Sequence, residues 1–298
     1  MSATATQTPA TPASPPVAGG WGAPRRGRGR VRDGLPLGGF SGTSLGVVVL
    51  WVSLLVLLPL AAVVGKAFGS GWGDFWSAIT NRENRDALLL TVSLAVAVAL
   101  VNAVMGTVIA WVLVRERFRG SAVLEFVIDI PFALPTVVAG LVMLALYGQD
   151  SPIDVNLYGS RIGMFVALLF VTLPFAVRTV QPVLIDLDRD KEQAAASLGA
   201  SPPVVFRRIV LPQIMPAMSS GAALAFARAL GEYGSLVFIS SAIPYHTEFA
   251  SVIIYGKLQE QGDGPTQQAA ALATVLLLAS GLVLVLLDLL QRRMARHG

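Results

Sequence analysis

Cysteine is absent from this 298-residue chain, and histidine occurs only twice, at His246 and His297. The first absence excludes disulfides and Cys-based metal sites, and the second leaves too few imidazoles, too far apart, for a His-built metal centre. Charge is also scarce: Asp, Glu, Lys and Arg make up 13% of the residues, against roughly a quarter in ordinary soluble domains. No G-x-x-x-x-G-K-[ST] phosphate loop occurs, so the chain lacks the backbone cradle with which such a loop holds nucleotide phosphates. What is plentiful is apolar, 54% of the chain, with a mean hydropathy of +0.67. That balance belongs to an integral membrane protein. A net charge of +4 and a pI near 9.8 do not point to nucleic acid, because the basic residues scatter at the ends of apolar segments and form no single face.

Residues 1–44 are rich in Ala, Thr, Pro and Gly and carry five arginines between Arg25 and Arg32. Such a segment has too little apolar surface to fold alone and is expected to be a disordered basic tail. The apolar run after it is too long for the hydrophobic region of a secretory leader, so an uncleaved first span is expected. A bilayer core requires about 20 apolar helical residues, and six windows meet that length: 45–65, 87–114, 121–147, 162–184, 213–240 and 267–290. Pro59, Pro131, Pro135, Pro174 and Gly221 fall inside them, which predicts kinked or irregular helices. The expected architecture is therefore an all-α membrane domain over 45–290 with six transmembrane helices and a short tail, 291–298.

Lys and Arg outside the spans set the orientation. With the N-terminus in the cytoplasm, 15 of them lie inside and five, Lys66, Arg82, Arg85, Arg161 and Lys257, lie outside. Both termini are thus expected in the cytoplasm of a multi-pass cell-membrane protein, as is the polar loop 186–212 between the fourth and fifth windows.

That loop, "DRDKEQAAASLGASPPVVFRRIVLP" over 188–212, reads as helix, glycine turn, helix. Asp186, Asp188 and Asp190 suit a helix N-terminus, and "KEQAAASL" supplies strong helix formers. Gly199 suits a left-handed C-terminal cap, and Ser201 with Pro202 suits a second start that continues to Pro212. Ala194, Ala195, Ala196 and Leu198 give the first helix a small, mildly apolar surface. It is either a solvated linker or a docking element.

The spacing decides between them. The loop resembles the EAA loop of the permease subunits of bacterial ABC importers: Glu-Ala-Ala, three residues, Gly, nine residues, Ile, one residue, Leu-Pro. Ala194, Ala195, Gly199, Ile209, Leu211 and Pro212 fall on the required positions. Gln193 stands where the family has Glu, with Glu192 just before it. The resemblance implies a type I importer permease of MetI-like architecture whose loop docks as a coupling helix on a separate ATPase. It implies two ATPase copies, which bind the ATP and Mg, no cofactor or catalytic residue in this chain, a homologous second permease and an extracytoplasmic binding protein.

From residue 45 onward the chain is similar to the T-type permeases of sulfate/thiosulfate importers, most distinctively in "GEYGSLVFIS" and "IPYHTE" (231–240 and 243–248). This implies a W-type partner permease and a sulfate-binding protein. Polar groups at membrane depth are costly and mark candidate paths for a dianion. Arg228 and Glu232, four apart on the expected fifth span, share one helical face. They either neutralise each other and fix packing, or free Arg228 to attract the anion while Ser235, Ser240 and Ser241 donate hydrogen bonds; Arg178 lies in the fourth span. Gly221, Gly231 and Gly234 are assigned to close packing, and His246 to an ordinary outer loop. The same machine carrying molybdate or tungstate is the alternative. A stand-alone channel or carrier would make the loop an accident, and a membrane enzyme would need an acid, base or metal cluster that the spans do not supply.

Overall fold

The computed structural model describes residues 39–116 and 118–295. Residues 1–38, which hold most of the expected basic tail, lie outside that range, as do Arg117 and Arg296. The described residues are helical or loop, in chain order α1 (Gly42–Ala67), α2 (Trp72–Thr80), α3 (Arg82–Arg115), α4 (Ser121–Ala133), α5 (Thr136–Tyr147), α6 (Arg161–Asp186), α7 (Arg189–Ser197), α8 (Pro202–Leu230), α9 (Leu236–Ile239), α10 (Ala250–Gln259) and α11 (Asp263–Ala295). Among the described residues, those to Trp51 and those from Val52 fall into two separate units. The first helical residue is Gly39, ahead of the apolar stretch Gly42–Ala67 labelled α1, and the last is Ala295, so the expected boundaries at 44 and 291 both fall within helix.

Five helices, α1, α3, α6, α8 and α11, are long and apolar enough to cross a bilayer. The sixth window is different. α4 and α5 bend by 115° at Leu134–Pro135, so 121–147 is no single straight helix but a bent pair, the geometry of a broken span or a re-entrant loop. The cause is local: Leu134 is extended (φ −82°, ψ 133°), as the residue before a proline prefers, and Pro135 has no N–H to continue the helix. α4 runs antiparallel to α6, as successive contacts show. Gln181 Nε2 donates to Glu125, Arg178 binds Asp129 in bidentate fashion, and Phe132 meets the edge of Phe175 at 4.8 Å.

The fifth span also departs from its window. Pro212 does not stop a helix: α8 begins at Pro202 and runs unbroken to Leu230. A π-turn over Phe206–Val210 precedes the proline, with the Leu211 N–H bonding back to Phe206 O. Widening the turn relieves the clash a proline ring makes with the carbonyl four residues earlier. The same device precedes Pro59, where Ser53–Leu57 is a π-turn.

α3, α6 and α8 pack most closely where side chains vanish. A Cβ on Gly106 of α3 would lie 2.6 Å from the Cβ of Ala176 on α6, and one on Gly221 of α8 would lie 3.1 Å from the Ala176 Cα. Nearby, buried Asn102 donates to Thr172 at 2.7 Å. Two apolar clusters flank this waist. One gathers Val98, Met164, Leu168, Phe226, Leu236 and Leu272; the other, nearer α7, gathers Ala110, Ile128, Val177, Leu184, Val210 and Ile214. Gly106→Ala is expected to lower thermal stability by about 1–3 kcal/mol through overpacking. Gly256→Ala, where nothing lies within 4 Å, is not; equal melting midpoints for the two variants in detergent contradict the close approach.

Candidate functional site

Two groups of residues carry chemistry: the loop that ends one face of the bundle, and the charges at membrane depth. In the loop, Asp188 caps α7 by accepting the Asp190 N–H at 3.0 Å, and both Asp190 and Glu192 occupy the first turn, where carboxylates are favoured by the helix dipole. Gly199 closes the helix at φ +86°, with its N–H on Ala196 O and that of Ala200 on Ala195 O. Ser201 takes the N-cap backbone position of α8 without a side-chain cap bond. The expected helix, glycine turn and helix are therefore present, although the second helix is the root of a span.

Glu192 faces inward. Its carboxylate accepts from Arg115 Nη2 at 2.5 Å, with the two side chains 20% and 8% exposed. The Arg115 guanidinium lies over Trp111, 5.4 Å from the ring centre, and Trp111 meets Phe206 edge-on at 5.3 Å. Gln193, Ala194 and Leu198 are exposed and Ala195 is half-buried, Leu198 being 89% exposed. Ile209 and Leu211 are half-buried at the root of α8, and Pro212 is exposed. A cleft of about 370 Å³ separates α7 from α8, lined by Trp111, Gln193, Ala196, Val205 and Phe206 among others. The Arg115 contact escaped the sequence reading because its partner lies 77 residues away; Arg115 stood out only as one more basic residue ending an apolar segment.

In the fourth of the expected spans, Arg178 commits three of its five N–H donors. Its Nε donates to Asp129 at 2.9 Å, its Nη2 to the other carboxylate oxygen, and its Nη1 to Gln181 at 2.8 Å. In water an ion pair this exposed (35% and 43%) would contribute roughly 0–1 kcal/mol. Within a span the alternative is a lone charge, costing about 3 kcal/mol at bilayer depth, which favours keeping the pair together. Arg228 differs. Its Nη1 sits 2.5 Å from Glu232 Oε2, and Glu232 is not on the face of α8 as expected: the helix ends at Leu230, and Glu232 belongs to the irregular segment 231–235. There it organises the break. Its Oε1 accepts the Ser235 N–H at 2.8 Å and its carbonyl accepts the Ser251 hydroxyl. The segment is pressed so close to the start of α5 that a Cβ on Gly234 would lie 2.3 Å from Thr136 Oγ1. Gly221 and Gly234 thus serve close packing, while Gly231 has no such neighbour. The Ser235 hydroxyl is buried without a partner among the described residues.

Comparison with known proteins places this arrangement. Residues 102–296 match the family "binding-protein-dependent transport system inner membrane component". The chain belongs to that family. The permease is 42% identical over 261 residues to the sulfate transport system permease protein CysT of Salmonella typhimurium, covering 85% of this chain and 93% of that one. It is also 42% identical to the CysT protein of a Synechocystis species, covering 85% and 90%. Its fold matches that of a bacterial alginate ABC transporter solved in complex with an alginate-bound periplasmic protein, at a TM-score of 0.70 and 15% identity over 86% of this chain and 94% of that one. The permease is an all-helical, multi-pass membrane subunit of the importer type.

The Arg228–Glu232 pair makes an asymmetric expectation. Glu232 is 1% exposed and Arg228 30%, so Arg228→Ala strands a buried carboxylate, at a cost of about 3–5 kcal/mol. Glu232→Gln leaves a cation that can still reach polar surroundings, and its amide oxygen can still accept from Ser235. Thermal denaturation should show the larger loss for Arg228→Ala; the reverse order contradicts the described burial.

Proposed function

We propose that the permease carries sulfate, or thiosulfate, through an ATP-driven importer by alternating access. The observation that carries this reading is the 42% identity to sulfate permeases named CysT across 85% of the chain. The rest of the assembly follows from the family type: two copies of a separate ATPase that bind ATP and Mg, a homologous W-type permease and an extracytoplasmic sulfate-binding protein. The bias of Lys and Arg, 15 to five, supports cytoplasmic termini and a cytoplasmic α7. Nucleotide-driven closure of the ATPases would draw α7 and its partner's counterpart together and open the cavity outward; release of hydrolysis products would return it.

In this reading the docking face is neutral and small, built from Gln193, Ala194, Ala195 and Leu198, because Glu192 is turned inward to Arg115. Arg228 is the candidate anion contact: it spends one Nη on a carboxylate where Arg178 commits three N–H groups, and so keeps more donors on its part-exposed guanidinium. Ser235 lies beside it, and any such site is weak, since the anion must leave as well as enter.

Radiolabelled sulfate uptake in cells lacking the gene tests the substrate. Restored uptake that excess molybdate does not suppress supports sulfate, while suppression by molybdate at equal concentration overturns it. A second expectation concerns Gly199, which has open space around it but φ +86°. Gly199→Val strains the turn and should uncouple ATP hydrolysis from uptake, whereas Gly199→Asn, which tolerates that conformation, should not. Normal coupling in the valine variant contradicts the role of the turn.

A further inference from the structure

We infer that Arg115 is a positioning residue for energy coupling: with Glu192 it forms a strut that makes α7 move with α3 as well as with the spans it is covalently joined to. The inference rests on the importer reading and adds a mechanical path to it.

α7 has few other attachments. The chain links it to α6 through Leu187 and Asp188 and to α8 through 198–201, yet a cleft of about 370 Å³ lies between it and the first turns of α8. On the α3 side the contact is direct. The Arg115 side chain, 8% exposed, reaches Glu192 at 2.5 Å, and Arg189 adds a long contact of 3.4 Å to the Val114 carbonyl. Both charges sit where helix dipoles favour them, Arg115 in the last turn of α3 and Glu192 in the first turn of α7. Stacking on Trp111, which rests on Phe206, prevents the guanidinium from swinging away. The Arg115 Nε is buried and has no partner among the described residues, so the guanidinium is held by one carboxylate and one ring. Losing the carboxylate would leave a buried cation uncompensated, and α7 would have to shift or hydrate.

Force applied to α7 therefore enters α3 at its end. α3 meets α6 and α8 at the Gly106–Ala176–Gly221 contact, so displacement at one end of the three helices is passed to the other by a lever with a fixed waist. Without the strut, α7 would act through its two covalent links, its packing on the first turns of α8 and the long Arg189 contact.

The test uses the complete reconstituted complex, with its ATPase, second permease and binding protein, and reads ATP hydrolysed per sulfate imported. Arg115→Gln and Glu192→Gln should each raise that ratio by roughly fivefold or more, and Arg115→Glu/Glu192→Arg should bring it back toward the native value. Arg115→Lys, which keeps the charge and loses the planar stacking, should fall between. A melting midpoint for each variant separates misfolding from uncoupling. An unchanged ratio in folded single variants overturns the strut, as does a folded charge-swapped pair no better than either. If the native complex imports no sulfate, it is the importer reading that fails.

Discussion

The bundle turns on the contact of Gly106, Ala176 and Gly221, where three membrane helices approach until only hydrogen or methyl fits between them. Within a bilayer there is no hydrophobic drive to press helices together, so close van der Waals contact and buried hydrogen bonds must do it. Asn102 and Thr172 supply such a bond beside the waist. A waist this tight cannot slide without opening a void. α3, α6 and α8 are thereby favoured to tilt about it, and in the proposed mechanism that tilt would turn movement of α7 at one end into opening or closing at the other.

Where α8 gives way to α9, side chains satisfy the irregular backbone. The break between α8 and α9 would leave amide groups bare in a low-dielectric setting, at a cost of several kcal/mol each. Glu232 meets one with its carboxylate, and its own carbonyl receives Ser251. Arg228 then neutralises the carboxylate. One pair of residues thus serves packing and, in the proposed function, places a cation with free donors at membrane depth. The packing reading is the one the structure meets; the anion contact belongs to the proposal.

Much of this was legible in the residues. The EAA-like spacing from Ala194 to Pro212 marked out a loop that folds as helix, glycine turn and helix, because helix capping and a glycine turn leave local, fixed-distance signatures. Five of the six apolar windows came through as helices long enough to span, since bilayer thickness sets their length, and the sixth as a bent pair. What stayed hidden was non-local or depended on bend angles. Pro131 and Pro135 announced an irregular third window but not a 115° turn. Counting four residues from Arg228 to Glu232 assumed a helix that ends at Leu230. Pro212 looked like a terminator because a π-turn upstream leaves no obvious mark in "VFRRIV". Gln193 in the usual glutamate position raised the question whether Glu192 replaces it toward the ATPase, and the answer came only from α3: Arg115 turns that carboxylate inward.

The central claim is that α7 docks on a separate ATPase, and the absence of cysteine from the chain allows a direct measurement. A single cysteine placed at exposed Ala194 should form a disulfide or short-linker crosslink with a cysteine in the helical-domain cleft of the ATPase, and the yield should change with bound nucleotide. Crosslinking equal to that of a cysteine at Ile162, which is exposed at the far end of α6, would contradict the account.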